Sequence, residues 1–253
     1  MDQNGIDAAV LNTLNMGARM ELFKTPSDEW LSKLDDPDFN ICQDFQNAGQ
    51  PSHELVFKLA RQYPKRIYPF FWYNPRDPKD PTQEKGIIEV ENGIKERLVH
   101  GVKLQLAMIP CLPADLFPIS KLLVEYDLPL YFHPSGGLFC AKNTHPQFFL
   151  ELAKKFPALK IIVGHSAFSM EFCIEVNVIA RYIPHLYFET SLSVPYGIAT
   201  YVKFFGAERV IFGTDCPSAG PFNIEFEKLM AIKLTDAQKE LIFSKNIEKL
   251  LQL

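Results

Sequence analysis

Three stretches of the chain end an apolar run on a side chain that can move a proton or bind a metal. Pro129-Leu130-Tyr131-Phe132-His133 ends in histidine, as does Lys160-Ile161-Ile162-Val163-Gly164-His165. Val210-Ile211-Phe212-Gly213-Thr214-Asp215 ends in a carboxylate, followed by Cys216-Pro217. Short apolar runs closed by polar and breaker residues read as buried parallel strands. In parallel α/β folds the chemistry gathers at the carboxyl ends of such strands. If the three share one sheet, His133, His165 and Asp215 meet on one rim. Imidazole and carboxylate are general acids and bases, and they are also ligands for Zn²⁺ or a similar divalent ion.

Other side chains are weighed against this trio. Lys103 is a charge inside Val102-Lys103-Leu104-Gln105-Leu106. Lysine is rarely buried unpaired, so it either meets a substrate anion or Asp215, or it reaches solvent. Glu189 and Ser191 end a further strand and are candidates to line the same pocket. His53 falls in the first turn of an expected surface helix and should be solvent-exposed. His100 precedes Gly101 at an expected helix end, where an imidazolium would meet the carbonyl dipole. His145 opens a helix, and His185 precedes a strand on the side away from the chemistry. Nothing marks Cys216 as a nucleophile. There is no G-x-S-x-G, phosphate loop or dinucleotide fingerprint.

These residues need a frame. The chain has 253 residues, close to the ~250 of a (β/α)8 barrel and enough for one domain over 1–253 with a full core. Apolar residues make up 47% and charged residues 22%, which describes a globular chain. A net charge of −4 and no basic run argue against nucleic acid or an anionic membrane as partner, leaving a small-molecule substrate. The cysteines at 42, 111, 140, 173 and 216 form no CxxC pair, which suits a reduced, cytoplasmic protein. No signal core or membrane-length apolar run is present. Strands are expected at 7–13, 67–73, 102–106, 129–133, 160–165, 186–190 and 210–215. Helices are expected between them, a loop with short helices over 15–50, and a last helix at 235–251. That alternation is a wound parallel fold, one strand short of a barrel.

Phe132-His133-Pro134, then Phe156-Pro157-Ala158-Leu159-Lys160-Ile161-Ile162-Val163-Gly164-His165, then Ile211-Phe212-Gly213-Thr214-Asp215-Cys216-Pro217 resemble the amidohydrolase superfamily. The branch they resemble is its second large family, of metal-dependent hydrolases and non-oxidative decarboxylases similar to aminocarboxymuconate semialdehyde decarboxylase. Gly101-Val102-Lys103-Leu104 resembles that family's fourth strand, and Ile242 to Leu251 its final helix. The resemblance implies a TIM (β/α)8-type barrel of the metallo-dependent hydrolase kind. It implies a divalent metal, usually zinc, held by a His-x-His pair on strand one, by His133 and by Asp215. His165 would act as acid, base or substitute ligand, so the metal set available is His133, His165 and Asp215. This sequence has no His-x-His. Its first ten residues resemble the end of helix one and the start of strand two, so strand one is expected to be absent, through a start at an internal methionine or a true loss, and seven strands are expected. Metal occupancy should then be weak or partial.

The reading favoured by these residues is metal-dependent hydrolysis of a small anionic or cyclic substrate, with His165 and Asp215 catalytic and Lys103, Glu189 and Ser191 binding substrate. A decarboxylase of the same family is the alternative. So is an inactive barrel with a binding or structural role, which the absent His-x-His favours. Without strand one, the apolar edges at 7–13 and 210–215 lose partners. Residues 14–50, the final helix or a second subunit should cover them, and a homo-oligomer across the gap is the preferred solution.

Overall fold

Seven strands pair in sequence order, every neighbour parallel: β1 (Ala9–Asn12), β2 (Ile67–Trp72), β3 (Gly101–Gln105), β4 (Pro129–His133), β5 (Lys160–Val163), β6 (Leu186–Glu189) and β7 (Val210–Ile211). The structure, a computed structural model, describes residues 1–13, 28, 50–106, 109, 111–133 and 147–253. The loop expected over 15–50, the helix start at His145, and Cys42 and Cys140 fall outside them, apart from Asp28 and Gln50. Helices α1 (Glu54–Gln62), α2 (Glu84–Lys95), α3 (Phe117–Glu125), α4 (Gln147–Lys155), α5 (Met170–Ala180), α6 (Pro195–Phe205) and α7 (Phe222–Met230) separate or follow the strands. The chain ends in α8 (Asp236–Glu240), a π-helical turn (Leu241–Lys245) and α9 (Asn246–Leu251). Among the described residues these seven strands curl into a partial (β/α) barrel.

Strand alternation sorts side chains onto two faces. Phe71, Val102, Leu104, Leu130, Phe132, Ile161, Val163, Leu186, Phe188 and Val210 point outward and form the main core with the helices. On the concave face, Phe70, Tyr131, Ile162 and Ile211 form a smaller core, joined by Val10, Tyr68 and Tyr187. Leu250 and Leu251 of α9, with Ile247, complete it. Gln252 Nε2 donates to the Asp127 carbonyl at 3.1 Å, so the chain's end reaches the turn that feeds β4.

The final helical segment also answers the gap at β7. Ile211 bonds toward β6, since its carbonyl accepts from Thr190 N–H at 3.0 Å. In a parallel ladder the flanking Val210 and Phe212 therefore present their polar groups to the open side. Asn246 Nδ2 donates to the Val210 carbonyl at 2.7 Å, and Phe212 N–H donates to the Ile242 carbonyl at 2.9 Å. Helix-borne groups thus bond to the edge of β7 that faces away from β6.

Three expectations need correction. His53 is not solvent-exposed: it is 3% exposed, its ring stacks on Phe71 at 3.8 Å, and its Nε2 accepts from Trp72 N–H at 2.9 Å. Burial lowers its pKa to about 4, so it is a neutral acceptor that ties α1 to β2. His100 does not end a helix, because α2 stops at Lys95. It lies edge-on to Tyr68 at 5.1 Å, and burial lowers its pKa, which removes the proposed imidazolium. Gly101 opens β3 instead of capping α2, because any Cβ there would stand 2.7 Å from the Phe70 ring.

Candidate active site

Register sets five side chains on the concave face. Trp72 lies beside Lys103, Lys103 beside Tyr131, and Gln105 beside His133. Glu189 ends β6 on the same face as Tyr187. Two glycines make room for this layer. A Cβ at Gly213 would overlap Glu189 Oε1 and sit 2.5 Å from its Cδ, and one at Gly164 would sit 2.5 Å from Tyr131 Cζ. The glycines that precede Asp215 and His165 in sequence therefore serve the side chains across the sheet.

Glu189 is 5% exposed and organises the site. Its Oε2 accepts from Tyr131 Oη at 3.0 Å, His165 N–H at 3.0 Å and Ser191 Oγ at 2.8 Å. Its Oε1 accepts from Ser191 N–H at 2.8 Å. A buried carboxylate is tolerated when its lone pairs are filled in this way.

Proton accounting then fixes a relay. Ser191 has one hydroxyl proton, and it is committed to Glu189, which can only accept. Ser191 Oγ lies 2.8 Å from His165 Nδ1, so Nδ1 carries the proton and donates. The Ser191 carbonyl, 3.2 Å from the same nitrogen, agrees with that tautomer. In the neutral ring His165 Nε2 is then an acceptor, and it faces His133 Nδ1 at 2.9 Å. The chain Glu189–Ser191–His165–His133 runs from the buried floor to a half-buried histidine at the rim. Glu189 Oε2 also lies 3.9 Å from Nδ1, on the side of the ring that carries the proton. His165 adopts φ 49, a left-handed conformation that histidine visits more readily than most residues.

Lys103 is buried, with Nζ 4.0 Å over the Tyr131 ring. Burial lowers its pKa to about 8, against the opposing pull of Glu189 and Asp215. The Tyr131 phenol is held well above its usual pKa by burial and then by Glu189, so it stays a donor. Beside Lys103, two buried polar atoms have no hydrogen-bond partner among the described residues: Trp72 Nε1 and Gln105 Oε1.

The loop after β6 is pinned from behind. Ala167 N–H donates to Ser193 Oγ at 3.0 Å, and Gly213 N–H to Thr190 Oγ1 at 3.2 Å. Lys228 Nζ donates to the Thr190 carbonyl at 2.8 Å and pairs with Glu225.

Of the residues read from sequence, the structure joins His133, His165, Glu189 and Ser191 in one network and sets Lys103 beside it. Asp215 is exposed, four residues past the end of β7, with φ 47. Its charge reaches Lys103 and Tyr131. Among the described residues no group of three His, Cys, Asp or Glu is gathered closely enough to hold a metal ion. Tyr131, Trp72 and Gln105 were missed as site residues. The period of two would have found them, since 131 shares a face with 133 and 105 with 103.

Comparison with known proteins supplies the context. A family model described as Amidohydrolase matches residues 39–253. The chain is similar in fold to 5-carboxyvanillate decarboxylase from Sphingomonas paucimobilis. That match has a TM-score of 0.69 at 15% identity and covers 100% of this chain and 81% of that one. It is similar to the Novosphingobium aromaticivorans 5-carboxyvanillate decarboxylase, solved with manganese and 4-hydroxy-3-methoxy-5-nitrobenzoic acid. There the TM-score is 0.67 at 20% identity, covering 100% and 78%. A third is 2,6-dihydroxybenzoate decarboxylase from Rhizobium, with a TM-score of 0.66 at 17% identity, covering 100% and 86%. No curated protein matches the chain. Among the described residues no helix is long and apolar enough to cross a membrane.

Proposed function

The chain belongs to the amidohydrolase family, and from that premise we propose that it releases CO₂ from a small hydroxylated aromatic or unsaturated carboxylic acid. The observation that carries this reading is Lys103, a buried cation lying on an aromatic face. An anionic oxygen of the substrate would take the ion-pair position beside it. Trp72 Nε1–H is a donor for a second oxygen, and the Gln105 amide reads a neighbouring hydroxyl. The relatives in fold named decarboxylases of hydroxylated benzoic acids support this choice over hydrolysis.

The chemistry asked of the relay is modest. The bond between the carboxylate and its carbon breaks, CO₂ departs, and a proton takes its place. The His133–His165 pair, backed by Ser191 and Glu189, holds that proton near the rim. Hydrolysis of a lactone or amide, the chemistry in the family's name, would use the same pair to take a proton from water.

Manganese, present in relatives of this fold, does not fit the described residues alone. His133 Nδ1 and His165 Nε2 point at each other across 2.9 Å, Asp215 is exposed, and no third ligand joins them. The test is a panel of 2-hydroxybenzoate, 2,6-dihydroxybenzoate, 5-carboxyvanillate, a small lactone and a small amide, with and without added Mn²⁺ or Zn²⁺. CO₂ from an acid supports the proposal. Opening of the lactone or amide without CO₂ release selects hydrolysis.

A further inference from the structure

Helix α5 is apolar on two sides. Phe172, Cys173, Val176, Ile179 and Ala180 face the core. On the opposite side Met170, Ile174 and Val178 recur every fourth residue, and Tyr182 continues the row past the helix end. They are 38%, 59%, 56% and 70% exposed. An apolar stripe on a helix is ordinarily packed against another element, and α5 has two such stripes. Neighbouring α6 adds Tyr196 at 69% and Phe204 at 58% exposure. The two helices are in close contact, since a Cβ at Gly197 of α6 would stand 3.2 Å from Cys173 Sγ of α5.

We propose that this face binds a second copy of the chain through a two-fold axis passing near Val178. Two observations select that partner. The first is charge. Antiparallel apposition of two α5 helices about Val178 sets each residue against the one equally far on the other side. Ile174 then meets Tyr182 of the other copy. Glu175 meets Arg181, and both are exposed. The two-fold repeats each contact, so the row is complementary to itself in shape of pattern and in charge, as an isologous interface must be. The second is area. A buried aromatic side chain contributes 150–250 Å², so the exposed parts of three aromatics and three aliphatic side chains sum to roughly 700 Å². A stable interface takes about 800 Å² per partner, and the largest apolar patch of a typical monomer is about 300–600 Å². The face lies on the outside of the barrel, on the helix that follows His165, so pairing there leaves the concave site open.

The test is the mass of the full chain in solution across a dilution series, by light scattering and sedimentation. The native chain is expected to be a dimer at micromolar concentration. Val178→Glu, which brings two carboxylates together at the axis, is expected to give a monomer with an unchanged far-ultraviolet spectrum. Glu175→Arg alone and Arg181→Glu alone should each raise the dimer dissociation constant at least tenfold. The double exchange Glu175→Arg with Arg181→Glu should restore it. Val178→Cys should cross-link to a covalent dimer on mild oxidation, in conditions where the native chain does not. A native chain that is monomeric at 100 µM would overturn the proposal. So would a dimer untouched by Val178→Glu, or a double exchange as weak as the single changes, because either places any association elsewhere.

Discussion

Gly213 offers the sharpest perturbation of the site, because its effect falls on another residue. In Gly213→Ala the new methyl would occupy the position of Glu189 Oε1 and crowd Cδ at 2.5 Å and Cγ at 3.0 Å. The carboxylate must leave its place, and it gives up its donors: Tyr131 Oη, His165 N–H, Ser191 N–H and Ser191 Oγ. Hydrogen bonds to charged groups are worth about 1.5–3 kcal/mol each, and stranding a buried charge typically costs about 3–5 kcal/mol. We expect a loss near ~4 kcal/mol, partial recovery included, and a fall in Tm of roughly 8–16 °C for a chain of this size. Urea unfolding and calorimetry read this directly. A cycle isolates the cause: Glu189→Ala removes the clash, so Gly213→Ala added to it should cost less than ~1 kcal/mol more. A single Gly213→Ala within ~1 kcal/mol of native, or a fully additive double mutant, would refute the claim that this glycine exists to admit Glu189.

Two further predictions concern Lys103 and Asn246. The folded protein releases the Lys103 proton near pH 8, whereas the unfolded chain holds it to about pH 10.4. The unfolded state therefore binds more protons in that window, and stability should rise with pH from about 8 to 10, by at most about 3 kcal/mol. Affinity for an anionic ligand such as 2-hydroxybenzoate should fall over the same range, and Lys103→Met should flatten both curves. Asn246 is 5% exposed and donates to the Ala207 and Val210 carbonyls, both at 2.7 Å. Asn246→Leu should cost about 2–4 kcal/mol in urea unfolding by stranding carbonyls at the open edge of β7. A loss under ~0.5 kcal/mol would contradict the role given to that helix.

Much of the frame was legible because parallel strands buried on both faces advertise themselves as apolar runs. Seven such runs became seven strands in order. The ladder at β7 is shorter than the expected 210–215, covering Val210–Ile211. There Phe212 N–H turns to the Ile242 carbonyl, and Gly213 passes against Glu189. A pairing supplied by a helix leaves no mark in the strand's own sequence. The histidines were harder. His53 reads as a surface residue from helix position alone, and its bond to Trp72 N–H spans 19 residues. Glu189 ranked below Asp215 because both end apolar runs. Burial separates them, and burial depends on what crosses the sheet at Gly164, Gly213 and Tyr131. The remedy for Tyr131 and Gln105 was present in the alternation of β4 and β3.

The proposed reaction requires the relay to deliver a proton to the carbon that loses CO₂. Incubation with 2,6-dihydroxybenzoate and 2-hydroxybenzoate in D₂O, followed by proton and deuterium NMR of the product, measures that transfer. The expected result is one deuterium at the former carboxyl position, with the rate reduced at least a hundredfold in His165→Asn and in His133→Asn while the proteins stay folded. Product formed at the native rate by both variants, or acids that bind the native protein and return unchanged under every metal condition, would contradict it.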